Sequence, residues 1–238
     1  AEAGAKELGN ATHNTLETIY KELIGLSAEG VHARLTLLLD HWEEEVLPLI
    51  DRMIDREFAL GGAEPTGHLH NMREFVRGYV RNILIYDRDR GALFTVEAVE
   101  EPVEGVLPIS GGRTVSFLGY ADRIDTLASG IRAVIDYKSG APKNTRSIEQ
   151  LFDTNSAALN KPAMQSLLYA LLLRQKRGTD VAPMLYFARQ MGDKEYDPAV
   201  DAGGKIHRIS DAETTYAAAL TGKLEELFDP AAPFDCTS

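Results

Sequence analysis

Asp136 and Lys138, two positions apart, and a second aspartate at Asp122 are the residues whose types and spacing could do chemistry. Side chains alternate faces along an extended strand. In the run Ile131 to Lys138, the set Ile131, Ala133, Ile135 and Tyr137 therefore points one way, and Arg132, Val134, Asp136 and Lys138 the other. The first set is expected to be the core face, with Asp136 and Lys138 together on the opposite one. Ala128-Ser129-Gly130 suits a three-residue hairpin loop with Gly130 in the left-handed position. A loop centred on Ser129 pairs residue 122 with residue 136, and opposed residues project from the same face. The two aspartates then sit side by side, an arrangement that like charges disfavour unless a cation lies between them. Asp136 also follows the apolar Ala133-Val134-Ile135, where an unpaired carboxylate is costly. An arbitrary Asp-x-Lys is usually solvated surface; these two features argue against that here.

Magnesium takes oxygen ligands and keeps several waters, so Asp122, Asp136 and a main-chain carbonyl, that of Tyr137, suffice to hold it. Manganese is the alternative ion. Such an ion polarises a phosphoryl oxygen and acidifies a bound water, while Lys138 orients that water or stabilises the charge of the transition state. The expected chemistry is phosphodiester hydrolysis.

The elements that must position these residues follow from periodicity. Before residue 90 the chain reads as helix after helix: Leu8, Leu16, Ile19 and Leu23 recur at helical spacing, Leu35 to Leu39 with Trp42 and Val46 repeat the pattern, and Met72 to Ile85 give a third run. Gly61-Gly62 and Pro65-Thr66-Gly67 punctuate them. Phe94 to Glu97 open a β-rich stretch that ends at a Gly111-Gly112 turn, and Val115 to Thr126 and Ile131 to Lys138 read as two further strands. Pro162 to Arg177 reads as a Leu-rich helix stopped by Gly178. Met184 to Gln190 reads as a returning strand, and Ser210 with Glu213 as the capping box of a last helix ending near Phe228. The expected fold is α/β: a mixed central β-sheet flanked by helices, with an N-terminal helical region. A single domain over 1–238 is expected, a helical lead over 1–90 and an α/β core over 93–238.

The chain has 238 residues, 44% of them apolar, long enough for a substantial core. No run reaches the length of a membrane span and no secretory leader is evident, so no membrane association is expected. The single cysteine, Cys236, supplies too few thiolates for a structural zinc or iron–sulfur site, and a reducing, cytoplasmic setting is the expectation. The net charge of −11 argues against nucleic acid at first sight. Distribution matters more than the sum: basic residues gather at Arg73, Arg77 and Arg81 and at Lys143 and Arg146, and a bound cation offsets local acidity.

Gly119-Tyr120-Ala121-Asp122-Arg123-Ile124-Asp125, then Val134-Ile135-Asp136-Tyr137-Lys138-Ser139-Gly140, then Gln165 and Tyr169, together resemble the RecB and AddB branch of the PD-(D/E)XK nuclease superfamily. The resemblance implies a restriction-endonuclease-like core and a DNA exonuclease module within a helicase–nuclease repair or recombination protein, attached to a helicase domain or subunit. It also implies an upstream helix whose histidine joins the metal shell, and Leu8-Gly9, His13, Leu16-Glu17 and Tyr20 are similar to that helix. His13 is then a third metal ligand beside Asp122, Asp136 and the Tyr137 carbonyl. Gln165 and Tyr169, four apart on one helical face, would lie beside the site. Glu97 is a further candidate carboxylate, and Lys143, Arg146 and Lys161 are candidate DNA contacts. The branch's iron–sulfur cluster is not supported, because only Cys236 is present, after a stretch (Leu227 to Pro230, with Pro233-Phe234) that resembles the lead-in to it. No phosphate-loop motif of a helicase motor occurs. Two alternatives stay open: a non-catalytic domain that holds DNA ends or acts as a scaffold, and an RNA substrate.

Overall fold

The computed structural model describes residues 4–58, 67–153 and 159–231. Gly61-Gly62, Pro65-Thr66, Pro233-Phe234 and Cys236 lie outside them.

The helical lead consists of α1 (Ala5–Lys21), α2 (Ala28–Asp40), a short π-helical turn (Trp42–Val46), α3 (Leu47–Glu57) and α4 (Gly67–Asp89). Each helix forms because its apolar residues share one face. In α1, Leu8, Ala11, Leu16, Ile19 and Tyr20 are buried, and in α4, Met72, Val76, Val80, Ile83 and Leu84. Ser27 caps α2 by accepting the N–H of Gly30 at 3.1 Å. The second apolar run of the sequence, Leu35 to Val46, spans α2 and the π-helical turn; α3, with Pro48 in its first turn, follows as a further helix.

Among the described residues, β1 (Phe94–Ile109), β2 (Arg113–Leu127), β3 (Arg132–Lys138) and β4 (Val181–Phe187) form one sheet in the order β1-β2-β3-β4. The sheet is mixed: β1, β2 and β3 run antiparallel in turn, and β4 returns parallel to β3. The β2–β3 loop is the expected one. Leu127 N–H bonds to the Ile131 carbonyl at 2.9 Å, and Gly130 has φ +79°, where a Cβ would be strained. Val181–Phe187, earlier than the Met184 to Gln190 expected, is the returning strand; its register sets Tyr186 beside Tyr137 and Phe187 beside Lys138.

Two apolar layers cover the sheet. Ala133, Ile135 and Tyr137 of β3 face α1 to α4, as expected of the core face. The opposite face is also core: Val134 packs with Leu167, Ala170 and Leu171 of α5 (Lys161–Arg177). Fully burying one such leucine contributes about 1.5–3 kcal/mol. α5 is capped by Asn160, which accepts the Ala163 N–H at 3.2 Å, and ends at Gly178 with φ +69°. A two-stranded hairpin, β5 (Val200–Asp201) and β6 (Lys205–Ile206), precedes α6 (Glu213–Leu227). The capping box expected there does not form. Ser210 instead gives its N–H and hydroxyl to Asp180, at 3.2 and 2.6 Å, and Glu213 pairs with Arg174.

Candidate active site

Arg123 pairs with Ile135, Ile124 with Val134 and Asp125 with Ala133; the ladder ends there, one step short of Asp122 and Asp136. That step is where β2 and β3 part. β2 continues with β1 towards Arg113, whereas β3 stays with β4 to Lys138. At the fork the Asp122 carboxylate takes over the role of a ladder carbonyl: the Tyr137 N–H donates to its Oδ2 at 2.7 Å.

The β1–β2 hairpin changes face at the same level. Ala121 and Ile124 both pack into the core beside α5 although they are three residues apart, and Ala98 and Val103 on the neighbouring β1 do the same at five. Alternation has therefore slipped by one on each strand. Glu100, opposite Asp122 in this register, lies at the slip with φ +51°, the one described non-glycine residue with positive φ. A left-handed residue inside a strand is costly, and such strain gathers at functional positions.

α1 brings His13 to the fork from the helical side. Its Nδ1 lies 3.5 Å from Oδ1 of Asp122, its Nε2 3.0 Å from the Tyr137 carbonyl, and its ring stands edge-on to that of Tyr137 at 5.7 Å. One ligand atom each from His13, Glu100 and Asp122 falls within 4.8 Å of the others. Asp136, 4% exposed, lies on β3 outside that triad, with Lys138 Nζ 2.5 Å from its Oδ2, and it feels the charges of Asp122 and His13.

The electrostatics suit a cation. Burial and then the charge of Asp122 push the Asp136 carboxyl up to about 6, only partly offset by Lys138. Burial alone would lower His13, but the hydrogen bond and charge of Asp122 outweigh it and raise the imidazole above its ordinary value. Desolvation and Asp122 likewise raise Glu100. Carboxylates from Glu100 and Asp122, with the His13 imidazole beside them, are a donor set that suits a hard or borderline divalent ion.

The family model of the PD-(D/E)XK nuclease superfamily matches residues 1–238. The chain belongs to that superfamily. Membership makes it a nuclease, and nucleases of this superfamily use divalent metal ions, consistent with the acidic cluster at the fork. A search of curated proteins finds no match. In this PD-(D/E)XK nuclease the mixed sheet with its flanking helices is the expected α/β core.

Of the residues singled out from the sequence, His13, Asp122 and the Tyr137 main chain are in direct contact, and Asp136 pairs with Lys138 on the neighbouring strand. Gln165 Nε2 donates to the Tyr169 hydroxyl at 2.9 Å, and that ring packs on Gly119, where a Cβ would meet the hydroxyl at 2.2 Å. The pair thus touches β2 three residues before Asp122. Lys143 and Arg146 are exposed on the loop after β3 and Lys161 on the first turn of α5. Lys143 donates to the Leu159 carbonyl at 3.2 Å and lines a cavity of about 210 Å³ with Phe187, Gln190 and Lys205, just past the end of β4.

Two expectations need correction. Glu97 is no part of the site: it is paired with Arg132 at 2.6 Å and Arg177 at 3.1 Å, and Glu100 is the carboxylate that reaches it. The bulge between Val96 and Ala98 shifts β1 by one residue, which no local residue pattern announces. Nor do Arg73, Arg77 and Arg81 form a free basic patch, since Arg73 and Arg77 pair with Asp51, Asp55 and Glu74, and Arg81 lies over Trp42.

Proposed function

We propose that the chain is a magnesium-dependent deoxyribonuclease, with manganese as a substitute ion, that shortens DNA from its ends. The observation that supports this reading is the triad of His13, Glu100 and Asp122 at the end of the β2–β3 ladder, with the charge of Asp122 reaching the buried Asp136 and its partner Lys138. His13, Asp122, Asp136 and the Tyr137 carbonyl hold the ion, and Glu100 adds a carboxylate. When bound, the ion supplies Lewis-acid activation of the phosphodiester and of the attacking water. Lys138, on the same strand as Asp136 and 2.5 Å from its Oδ2, would stabilise the charge developing on the phosphoryl group. Gln165, bonded to Tyr169, lends polar contacts from α5 beside β2. Lys143, Arg146 and Lys161 take the flanking phosphates, which makes binding local and salt-dependent despite the acidic total.

In this proposal residues 1–238 act as one domain, working in the cytoplasm beside a helicase domain or subunit that feeds it strand ends. No helix among the described residues is long and apolar enough to cross a membrane. End-labelled linear DNA, circular DNA and RNA incubated with magnesium test the reading. Loss of label from linear DNA, with the circle and the RNA intact, is the expected result. Cutting of the circle overturns the exonuclease assignment, preference for RNA overturns the DNA assignment, and no cutting of any substrate overturns catalysis itself.

A further inference from the structure

On the helical side of the sheet, beneath the fork, lies a cluster of charge that the proposed reaction does not use. Arg123, Asp125 and Asp87 are buried, Arg123 and Asp125 completely. Arg123 Nη1 is 2.8 Å from Asp87 and its Nη2 3.0 Å from Asp125, while Arg90, just beyond α4, reaches Asp125 at 3.2 Å and Asp87 at 3.4 Å. Tyr20 and Tyr186 donate their hydroxyls to the two oxygens of Asp87, and the Arg123 guanidinium lies 3.9 Å from the centre of the Tyr20 ring. Residues from α1, α4, β2 and β4 meet here, two arginines against two aspartates.

Stability does not account for such a cluster. Each buried ion costs several kcal/mol to desolvate, and apolar side chains of the same volume often serve as well or better. One contact leads from the cluster to the fork: Arg123 Nη1 donates to the Tyr137 hydroxyl at 3.0 Å. Tyr137 is the residue whose N–H holds Asp122 and whose carbonyl faces His13. Its ring is anchored below the sheet while its main chain serves the site at the edge.

We propose that Arg123, acting through the Tyr137 hydroxyl, is a positioning residue that fixes the Tyr137 main chain so that Asp122, His13 and the Tyr137 carbonyl converge on one cation. The inference rests on the metal-site reading above. Removing a group one step behind the ligands typically lowers metal affinity or activity by about 10- to 100-fold.

Tyr137→Phe removes the tethered hydroxyl and leaves ring and main chain in place. Tyr186→Phe is the matched control: its hydroxyl belongs to the same cluster, bonded to Asp87 and Arg90 at 2.8 Å each, but touches none of the candidate ligands. The measurements are thermal unfolding of the metal-free proteins, Mn²⁺ affinity by calorimetry, and kcat and KM on linear DNA. Both variants should lose melting temperature to a similar degree. Only Tyr137→Phe should lose about tenfold in Mn²⁺ affinity, with kcat rather than KM falling. Arg123→Lys should match Tyr137→Phe; if it does not fold, the tyrosine pair decides alone. Parental Mn²⁺ affinity in Tyr137→Phe, or equal loss in both tyrosine variants, overturns the positioning role while leaving the nuclease reading intact. A parent protein that binds no Mn²⁺ and cuts no DNA overturns both.

Discussion

The main-chain N–H of Tyr137 donates to Oδ2 of Asp122 across 2.7 Å, so a side chain stands where the antiparallel ladder would use a carbonyl. This substitution lets β2 leave β3 without orphaning a buried N–H, whose loss of a partner costs about 1–3 kcal/mol. It also spends one Asp122 oxygen on structure and leaves Oδ1 towards His13. The parting of the strands and the aim of the carboxylate are one event.

Lys138 and the carboxylates should separate experimentally. Lys138→Ala removes no ligand and relieves no repulsion, so calorimetric binding of a divalent ion should persist. Loss of one preorganised stabiliser of transition-state charge costs on the order of a hundredfold or more in rate. A Lys138→Ala protein that cuts at the parental rate contradicts the role given to it.

Asp136→Asn should weaken ion binding and abolish cutting, yet stabilise the metal-free protein. A carboxyl with a folded pKa near 6 and an ordinary value of 3.8 binds its proton more tightly in the native state. Its favourable contribution is therefore complete below about pH 4 and lost as pH rises through 6. The uncharged asparagine escapes that loss, so the variant should melt higher than the parent at pH 8, by the equivalent of about 1–3 kcal/mol, with the gap closing at pH 4. Coincident melting at pH 8 counts against the burial argument.

Glu100 and Glu97 are three residues apart on one strand and should behave oppositely. Glu100→Gln takes a charge from the cation site, so affinity for a divalent ion should fall severalfold with little change in melting. Glu97→Gln breaks partly exposed pairs with Arg132 and Arg177, which should cost no more than about 1 kcal/mol and leave ion affinity unchanged. Equal effects on ion affinity would show that the bulge does not divide their roles.

Gly119→Ala tests the contact between β2 and α5. The new Cβ meets the Tyr169 ring and hydroxyl at 2.2–2.6 Å, so the ring must move and its bond to Gln165 with it. Overpacking of this kind costs about 1–3 kcal/mol. Melting temperature and cutting rate should both fall, and a variant indistinguishable from the parent in both would mean that Tyr169 yields freely.

What could be read from the sequence divides along local and non-local lines. The β2–β3 register was legible because Gly130 pins a short loop and everything after it is counting, which is why the ladder runs as expected to the step before Asp122 and Asp136. α5 was legible for the same reason, with its cap, its proline and its terminal glycine all local. Glu100 was not, because a bulge and a face change come from how β1 lies against β2. The burial of Arg123 and Asp125 depends on Asp87 at the end of α4 and Arg90 just beyond it, and Ser210 was lost to Asp180, thirty residues away. Polar residues whose partners are distant in sequence read as solvated surface until the chain is folded.

His13 and the Tyr137 carbonyl that it meets are separated by 124 positions. The hairpin that holds both aspartates closes over a handful of residues, whereas the histidine arrives only when the helical lead has docked on the finished sheet, a contact whose closure entropy makes it late. During synthesis, a chain with its hairpin formed would carry two mutually repelling carboxylates and no imidazole. In the proposed site, the cation would therefore meet its imidazole donor only after the helical lead has docked on the sheet.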